Sequence, residues 1–254
     1  MSANPCKRLG LIWPDTGEAL SRFEMAQAQH LNRAFGCDEL AFDVECARAP
    51  PGHGVDALFK AGQVAGLVRA AVSLAQRGAQ AVVWACTSGS FIGGWQWGLE
   101  QRAELRAQTG LPVTSATLAL VSSCRQLGYR SLDVLSPYPR AVSEIFLACL
   151  REAGLRVAGS RVLDSDSATA SAALRLADQC RAFARGGRLS GDAVIIPDTA
   201  VNSLSLIPEL ETALGKPVVT ANQACLHQGA VLLGAAGALA GKEAFRRCQG
   251  MRDD

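Results

Sequence analysis

The sequence predicts an α/β protein of two similar Rossmann-like lobes, each a mostly parallel sheet flanked by helices, related by a pseudo-twofold duplication. Three observations predict it. Strand-like apolar runs alternate with helix-like runs along the whole chain, the pattern of parallel sheets crossed by helices. Three stretches recur in the same order in the two halves: RLGLIWPDT (Arg8 to Thr16) with RSLDVLSPYP (Arg130 to Pro139), GAQAVVWACTSGS (Gly78 to Ser90) with SGDAVIIPDTAVNS (Ser190 to Ser203), and TGLPVTSATLALV (Thr109 to Val121) with LGKPVVTANQACL (Leu214 to Leu226). Repetition over this distance is the doubling of a whole lobe, not a solenoid period, and two units of about a hundred residues suit a chain of 254.

Taken in order, LGLIW is a strand that runs into a proline turn carrying Asp15 and Thr16. LAFDVECA is the next strand. RAPPGHGVDALF (Arg48 to Phe59) is the most loop-like stretch and is expected to form a lid that carries His53. VAGLVRAAVSLAQRG has apolar residues at spacings of three and four and stops at Gly after a basic residue, as helices do. AVVWAC is an apolar strand ending at Cys86, and Trp95 and Trp97 of GGWQWG are expected to pack over a helix that begins just after it. PVTSA closes the first set of strands. The second set is SLDVLS with its SPYP turn and Tyr138, RVAGSRVL, AVIIPD ending at Asp198, and PVVTA. AVSEIFLACLREAG is a helix between the first two. Ala221 to Ala240 reads as a buried core helix holding His227 and Gln228. It is expected to return to the first lobe, which gives a first lobe of residues 1–117 plus 222–254 and a second of 118–221.

Apolar residues make up 49% of the chain, enough for sizeable cores, yet no apolar run reaches the roughly 20 residues of a membrane span. The N-terminal MSANPCKRLG has no secretory signature. A net charge of +2 with dispersed basic residues leaves no footprint for nucleic acid. Nine cysteines, an odd number without a C-x-x-C pair, argue against a disulfide framework and a structural zinc. The expectation is a cytoplasmic protein with reduced thiols, most of them small buried hydrophobes. The three histidines show no metal-ligand spacing, and no G-x-G-x-x-G, P-loop or G-x-S-x-G is present. No cofactor and no metal are expected.

Ligands of open parallel sheets bind beyond the carboxyl ends of the strands. Cys86 lies there, followed by Thr87, Ser88 and Ser90. A helix beginning in this stretch favours anions and thiolates, so the Cys86 pKa is expected to fall from about 8.5 toward 7. Asp198 occupies the matching position of the second half. Two readings stand for it: a general acid or base opposite the thiol, or the N-cap of a second-lobe helix. Thr199 follows it in the turn. Tyr138 reads as a donor to a bound carboxylate or as a packed surface tyrosine. Asp15 and Thr16 are the first-lobe counterparts of the Tyr138 turn, and Asp15 is a candidate substrate contact.

With LGLIWP, the Cys86-Thr87-Ser88 turn, the Pro137-Tyr138 turn, and DAVIIPDTAVNSLSLIPELE followed by LGKPVV in this order, the chain resembles the aspartate/glutamate racemase superfamily, and within it the maleate cis–trans isomerase and arylmalonate decarboxylase branch. ACTSGSFIGG is also similar to the ectoine-utilisation proteins of that branch. The resemblance covers nearly the whole chain. It implies two α/β lobes with the active site between them, no cofactor, homo-oligomers in many members, and two facing cysteines, one per lobe. Cys86 falls on the first cysteine position. Thr87, Ser88 and Tyr138 fall on residues that hold a substrate carboxylate. The second cysteine position is held by Asp198, so racemisation by two thiols cannot run in its usual form, and the decarboxylase pattern of a lone cysteine in the second lobe is not matched.

The expected function is a cofactor-independent isomerase or racemase acting on a small carboxylate or dicarboxylate, with Cys86 as nucleophile or base and Asp198 managing a proton. Decarboxylation through a similar anion is the runner-up. A non-catalytic binder of an acidic metabolite is the rival from another class. Cysteine-dependent hydrolysis would need a histidine at Cys86, which no sequence feature supplies.

Overall fold

The computed structural model describes residues 6–187 and 189–248; residues 1–5 and 249–254 of the expected first lobe lie outside these. Strands β1 (Lys7–Asp15), β2 (Leu40–Arg48), β3 (Ala81–Trp84) and β4 (Val113–Ser115) form one parallel sheet in the order β2-β1-β3-β4. Strands β5 (Ser131–Ser136), β6 (Arg156–Val162), β7 (Ala193–Ile196) and β8 (Val218–Thr220) form a second in the order β6-β5-β7-β8. The two orders are the same, so the repeat in the sequence is a repeat in topology. All eight expected strands are present. The central ones, β3 and β7, are buried at every position, as runs covered by helices on both faces must be.

Between the strands lie helices α1 (Ala28–Phe35), α2 (Val55–Ala61), α3 (Val64–Gln76), α4 (Thr87–Phe91), α5 (Gly94–Thr109), α6 (Ala116–Gln126), α7 (Arg140–Glu152), α8 (Ala168–Ala172), α9 (Leu176–Arg185), α10 (Ile207–Leu214) and α11 (Ala221–Leu232). Helices α6 and α11 are the counterparts that follow β4 and β8. Each opens on a hydroxyl that accepts from the backbone N–H three residues on: Ser115 from Leu118 at 3.4 Å and Thr220 from Gln223 at 3.3 Å. Such caps satisfy donors that the first turn leaves free.

The two helices pack against one another and exchange partners. Leu120, Val121 and Cys124 of α6 join the core of the second sheet with Leu132, Val134 and Ile195. Cys225, Leu226 and Ala230 of α11 join the core of the first sheet with Leu9, Leu11 and Val83. The chain thus crosses between sheets twice, which fixes the cleft between the two sets of strand ends. The last helix is shorter than expected. It stops at Leu232, Gly234 takes φ +63°, and a 3-10 turn follows over Ala236–Leu239. The glycine-rich GAAGALAG does not propagate a helix. All nine cysteines are free.

Candidate active site

Each central strand delivers its chemistry two residues beyond its last paired residue: Cys86 after Trp84, and Asp198 after Ile196. Both side chains line one cavity between the sheets, walled by Trp13, Phe23, Leu58 and Ala61 and floored by Ser88 and Thr199. Among the described residues that line it there is no Lys or Arg.

Cys86 is the N-cap of α4, and its Sγ accepts from the Gly89 N–H at 3.4 Å. The helix is short, and its start is pinned from α6. The hydroxyls of Ser90 and Thr117 both donate to the Thr87 carbonyl, at 2.9 and 3.0 Å. From the other side, Gln101 of α5 donates from its amide to the carbonyls of Gly62 and Gly89, tying the end of α2 to α4. A Cβ on Gly62 would stand 2.2 Å from the Gly89 carbonyl oxygen, so this approach requires glycine.

The thiol is not activated as the sequence led one to expect. Burial pushes the Cys86 pKa up to about 11, the nearby Asp198 carboxylate adds to the rise, and the bonds from Gly89 and Ser88 lower it less. Cys86 is only 6% exposed. A five-residue helix supplies too few aligned peptides to offset that desolvation.

Asp198 is not a helix N-cap, because no helix begins until α10 at Ile207. Its Oδ1 accepts from the Ala200 N–H at 3.0 Å, closing a turn, and its backbone takes φ +81°, which Asp tolerates better than most residues. Its N–H donates to the Thr87 hydroxyl at 3.2 Å, and the Thr199 hydroxyl donates to the Ala85 carbonyl at 2.9 Å. These two bonds lock the strand ends of the two sheets together. Asp198 Oδ2 is buried and accepts no hydrogen bond.

Tyr138 is fully buried, not a surface residue, and its hydroxyl has no partner in hydrogen-bond geometry although it lies beside the Thr87 and Ser88 side chains. Burial, then the Asp198 and Cys86 charges, raise its pKa well above 10, so it is a standing donor. Phe91 and His53 pack against its ring edge-on at 5.5 and 5.1 Å. Buried polar atoms are normally satisfied. Of these two unpaired groups the Asp198 oxygen belongs to a residue lining the cavity, whereas Tyr138 is not a lining residue and reaches the site only beside Ser88.

Asp15 is not brought into the cavity. Its carboxylate turns back to accept from the Gly17 N–H at 2.9 Å and lines a separate recess with Arg48, whereas Thr16 reaches the cavity wall. The expected lid is half helix: Val55 onward is α2, and Trp97 stacks on Phe59 at 4.5 Å to hold it. Trp97 also bonds the Gly89 carbonyl, as expected of a residue over the first helix of the site, while Trp95 packs instead beside the core of the second sheet. His53, from the preceding loop, is the residue that sequence reasoning underrated. It is 6% exposed and lines the cavity, with Nε2 at 3.9 Å from Asp198 Oδ2. Its only signal in sequence was a histidine between two glycines, GHG, in the loop-like stretch expected to form a lid.

The chain matches the family model "Arylmalonate decarboxylase" over residues 52–245. It is 32% identical over 176 residues, 68% of this chain and 70% of the relative, to the arylmalonate decarboxylase of Bordetella bronchiseptica. Among solved structures it is similar to the maleate cis–trans isomerase of Nocardia farcinica, in a cysteine-to-serine mutant with a covalently bound succinylcysteine intermediate (TM-score 0.80, 22% identity, 93% of this chain and 96% of that one). It is likewise similar to the maleate isomerase of Pseudomonas putida with maleate (0.78, 20%, 90% and 92%), and to a liganded mutant of arylmalonate decarboxylase (0.77, 25%, 92% and 94%).

Proposed function

Because the chain belongs to the arylmalonate decarboxylase family, we propose that it is a cofactor-independent racemase or isomerase that moves the α-proton of a small carboxylic acid bearing an apolar substituent, with Cys86 working from one lobe and Asp198 from the other. The observation that carries this reading is the placement of those two groups, at matching ends of the two central strands, on one cavity. Removing an α-proton leaves an enediolate, whose two oxygens need preorganised donors. Ser88 lines the cavity, and the Tyr138 hydroxyl, unpaired and held protonated, lies beside the Thr87 and Ser88 side chains although Tyr138 is not itself a lining residue. Asp198 Oδ2, free of other bonds, takes the proton from one face. Cys86, a neutral thiol with a pKa near 11, gives one to the other face. A thiol of that acidity is a poor nucleophile at rest but a suitable donor to a carbanion.

The apolar wall of Trp13, Phe23, Leu58 and Ala61 suits an aryl or alkyl substituent. The absence of Lys and Arg among the described lining residues disfavours the second charge of a dicarboxylate such as maleate, which the Pseudomonas putida isomerase holds in its solved structure. A second reading, decarboxylation of a substituted malonate, is favoured by the family relationship and draws on the same enediolate. The test is incubation with enantiopure 2-phenylpropionate in D2O. The reading predicts loss of the α-proton signal together with inversion. No exchange with this acid or its 2-alkyl analogues, alongside CO2 release from phenylmalonate, would replace it with the second reading.

A further inference from the structure

We infer that His53 and Asp198 form a single acid/base unit, an imidazole–carboxylate pair that takes the place of a second-lobe thiol. The inference deepens the proton-transfer reading above and rests on it. His53 is held at its backbone and at its ring. Its backbone N–H donates to the Asp166 carbonyl at 2.7 Å, which anchors the loop to the second lobe. Nδ1 lies 3.0 Å from the Ser165 carbonyl oxygen. A carbonyl can only accept, so Nδ1 carries a hydrogen, and Nε2 is left to face the cavity and Asp198 Oδ2 at 3.9 Å. Both side chains are buried, 6% and 7% exposed, and Oδ2 has no other partner. On this inference Nε2 and Oδ2, facing one another across the gap, share one proton, and Oδ2, which has no other partner, takes a second.

The step balances as follows. The α-C–H bond breaks and its electron pair enters the carboxylate to form the enediolate. The α-proton goes to Asp198 Oδ2 while Nε2 keeps the stored proton. The Cys86 S–H bond then breaks to protonate the opposite face, leaving thiolate. The pair, now one proton richer, returns that proton to the thiolate through solvent or in the reverse reaction. The extra positive charge on the pair while the enediolate exists stabilises that anion in a site with no Lys or Arg among its described lining residues. The other ionisable groups that the structure places against the imidazole are the Tyr138 phenol at its ring edge and, across the same cavity, Cys86.

Two variants separate proton transfer from positioning. His53→Gln keeps a donor near Nε2 and so preserves a purely structural contact with Asp198, but cannot pass a proton. His53→Asn keeps a donor near Nδ1 and removes Nε2. The inference predicts that both lower kcat by about 100-fold or more with KM changed less than about threefold. In D2O both should also abolish α-exchange from the enantiomer whose proton faces Asp198, while exchange from the other enantiomer, through Cys86, persists. Rescue of kcat by His53→Gln to within threefold of wild type would overturn it. A second measurement does not depend on turnover: imidazole 15N spectra of the wild-type protein and Asp198→Asn. The inference predicts an Nδ1–H form whose Nε2 signal shifts on Asp198→Asn, and an unchanged signal would overturn it. A wild-type protein that exchanges no α-proton but shows the shift would refute the functional reading and leave the pair standing.

Discussion

Alkylation of Cys86 provides the sharpest quantitative test, because structure and sequence predict opposite results. At pH 8 an ordinary thiol of pKa about 8.5 is roughly one quarter thiolate. With its pKa near 11, Cys86 is ionised to about 0.1%, a deficit of roughly 200-fold. A more basic thiolate is intrinsically more nucleophilic, with a Brønsted slope of about 0.4, which restores roughly tenfold. Ionisation therefore leaves Cys86 about 20-fold slower than an ordinary thiol, and its 6% exposure slows it further. The assay is timed iodoacetamide labelling with peptide mass spectrometry, using the exposed Cys37 as internal standard. The Cys86 rate should still climb about tenfold per pH unit between pH 8 and 10, where an ordinary thiol levels off. Labelling of Cys86 as fast as Cys37 at pH 8 would refute the argument that burial outweighs the α4 terminus.

Other outcomes follow from the same geometry. Tyr138→Phe should leave thermal stability within about 1 kcal/mol, because the hydroxyl has no partner to lose, yet lower kcat/KM by about 100-fold in the exchange assay. Asp198→Gly should fold normally, as relief at φ +81° offsets the lost bond to Ala200, with α-exchange abolished for the enantiomer whose proton faces Asp198. Gly62→Ala should cost activity and stability together, since its Cβ would collide with the Gly89 carbonyl; paired thermal melts and exchange rates check this. Glu24 concerns stability alone. Burial raises its pKa above 4.5 despite bonds from Asn222, Ser203 and Leu204. A raised carboxyl contributes stability below its unfolded pKa, and that contribution is lost as pH climbs through the folded value. Glu24's share of wild-type stability is thus lost as pH rises from about 4.5 through the raised folded value, and Glu24→Gln, which keeps an accepting oxygen, should flatten that decline in urea melts.

The fold was legible because its signals are local. Eight Val- and Ile-rich runs became eight strands, and the threefold match between halves became two sheets of the same strand order. The positions of Cys86 and Asp198 were legible for the same reason, as equal offsets from equivalent strands. What the sequence concealed depends on through-space terms. The Cys86 pKa is decided by burial in a cluster drawn from β1, β3, α3 and α5, not by the turn it sits in. Asp15 looked equivalent to Tyr138 by repeat position, but a short carboxylate next to Gly17 folds back onto its own backbone. The polar-looking loop with His53 is buried because its backbone finds a partner in Asp166 of the other lobe, a contact of more than a hundred residues' separation.

The central claim is that one carboxylate lies between a thiol and an acid contributed by different lobes. A crystal structure of the protein with phenylacetate, which carries the aryl group and the carboxylate, tests it most directly. The account predicts the carboxylate within hydrogen-bond reach of the Tyr138 and Ser88 hydroxyls, and the α-carbon with Cys86 Sγ on one face and Asp198 Oδ2 on the other, each at about 3–4 Å. A ligand seated elsewhere, or one with both groups on the same face of the α-carbon, would contradict it.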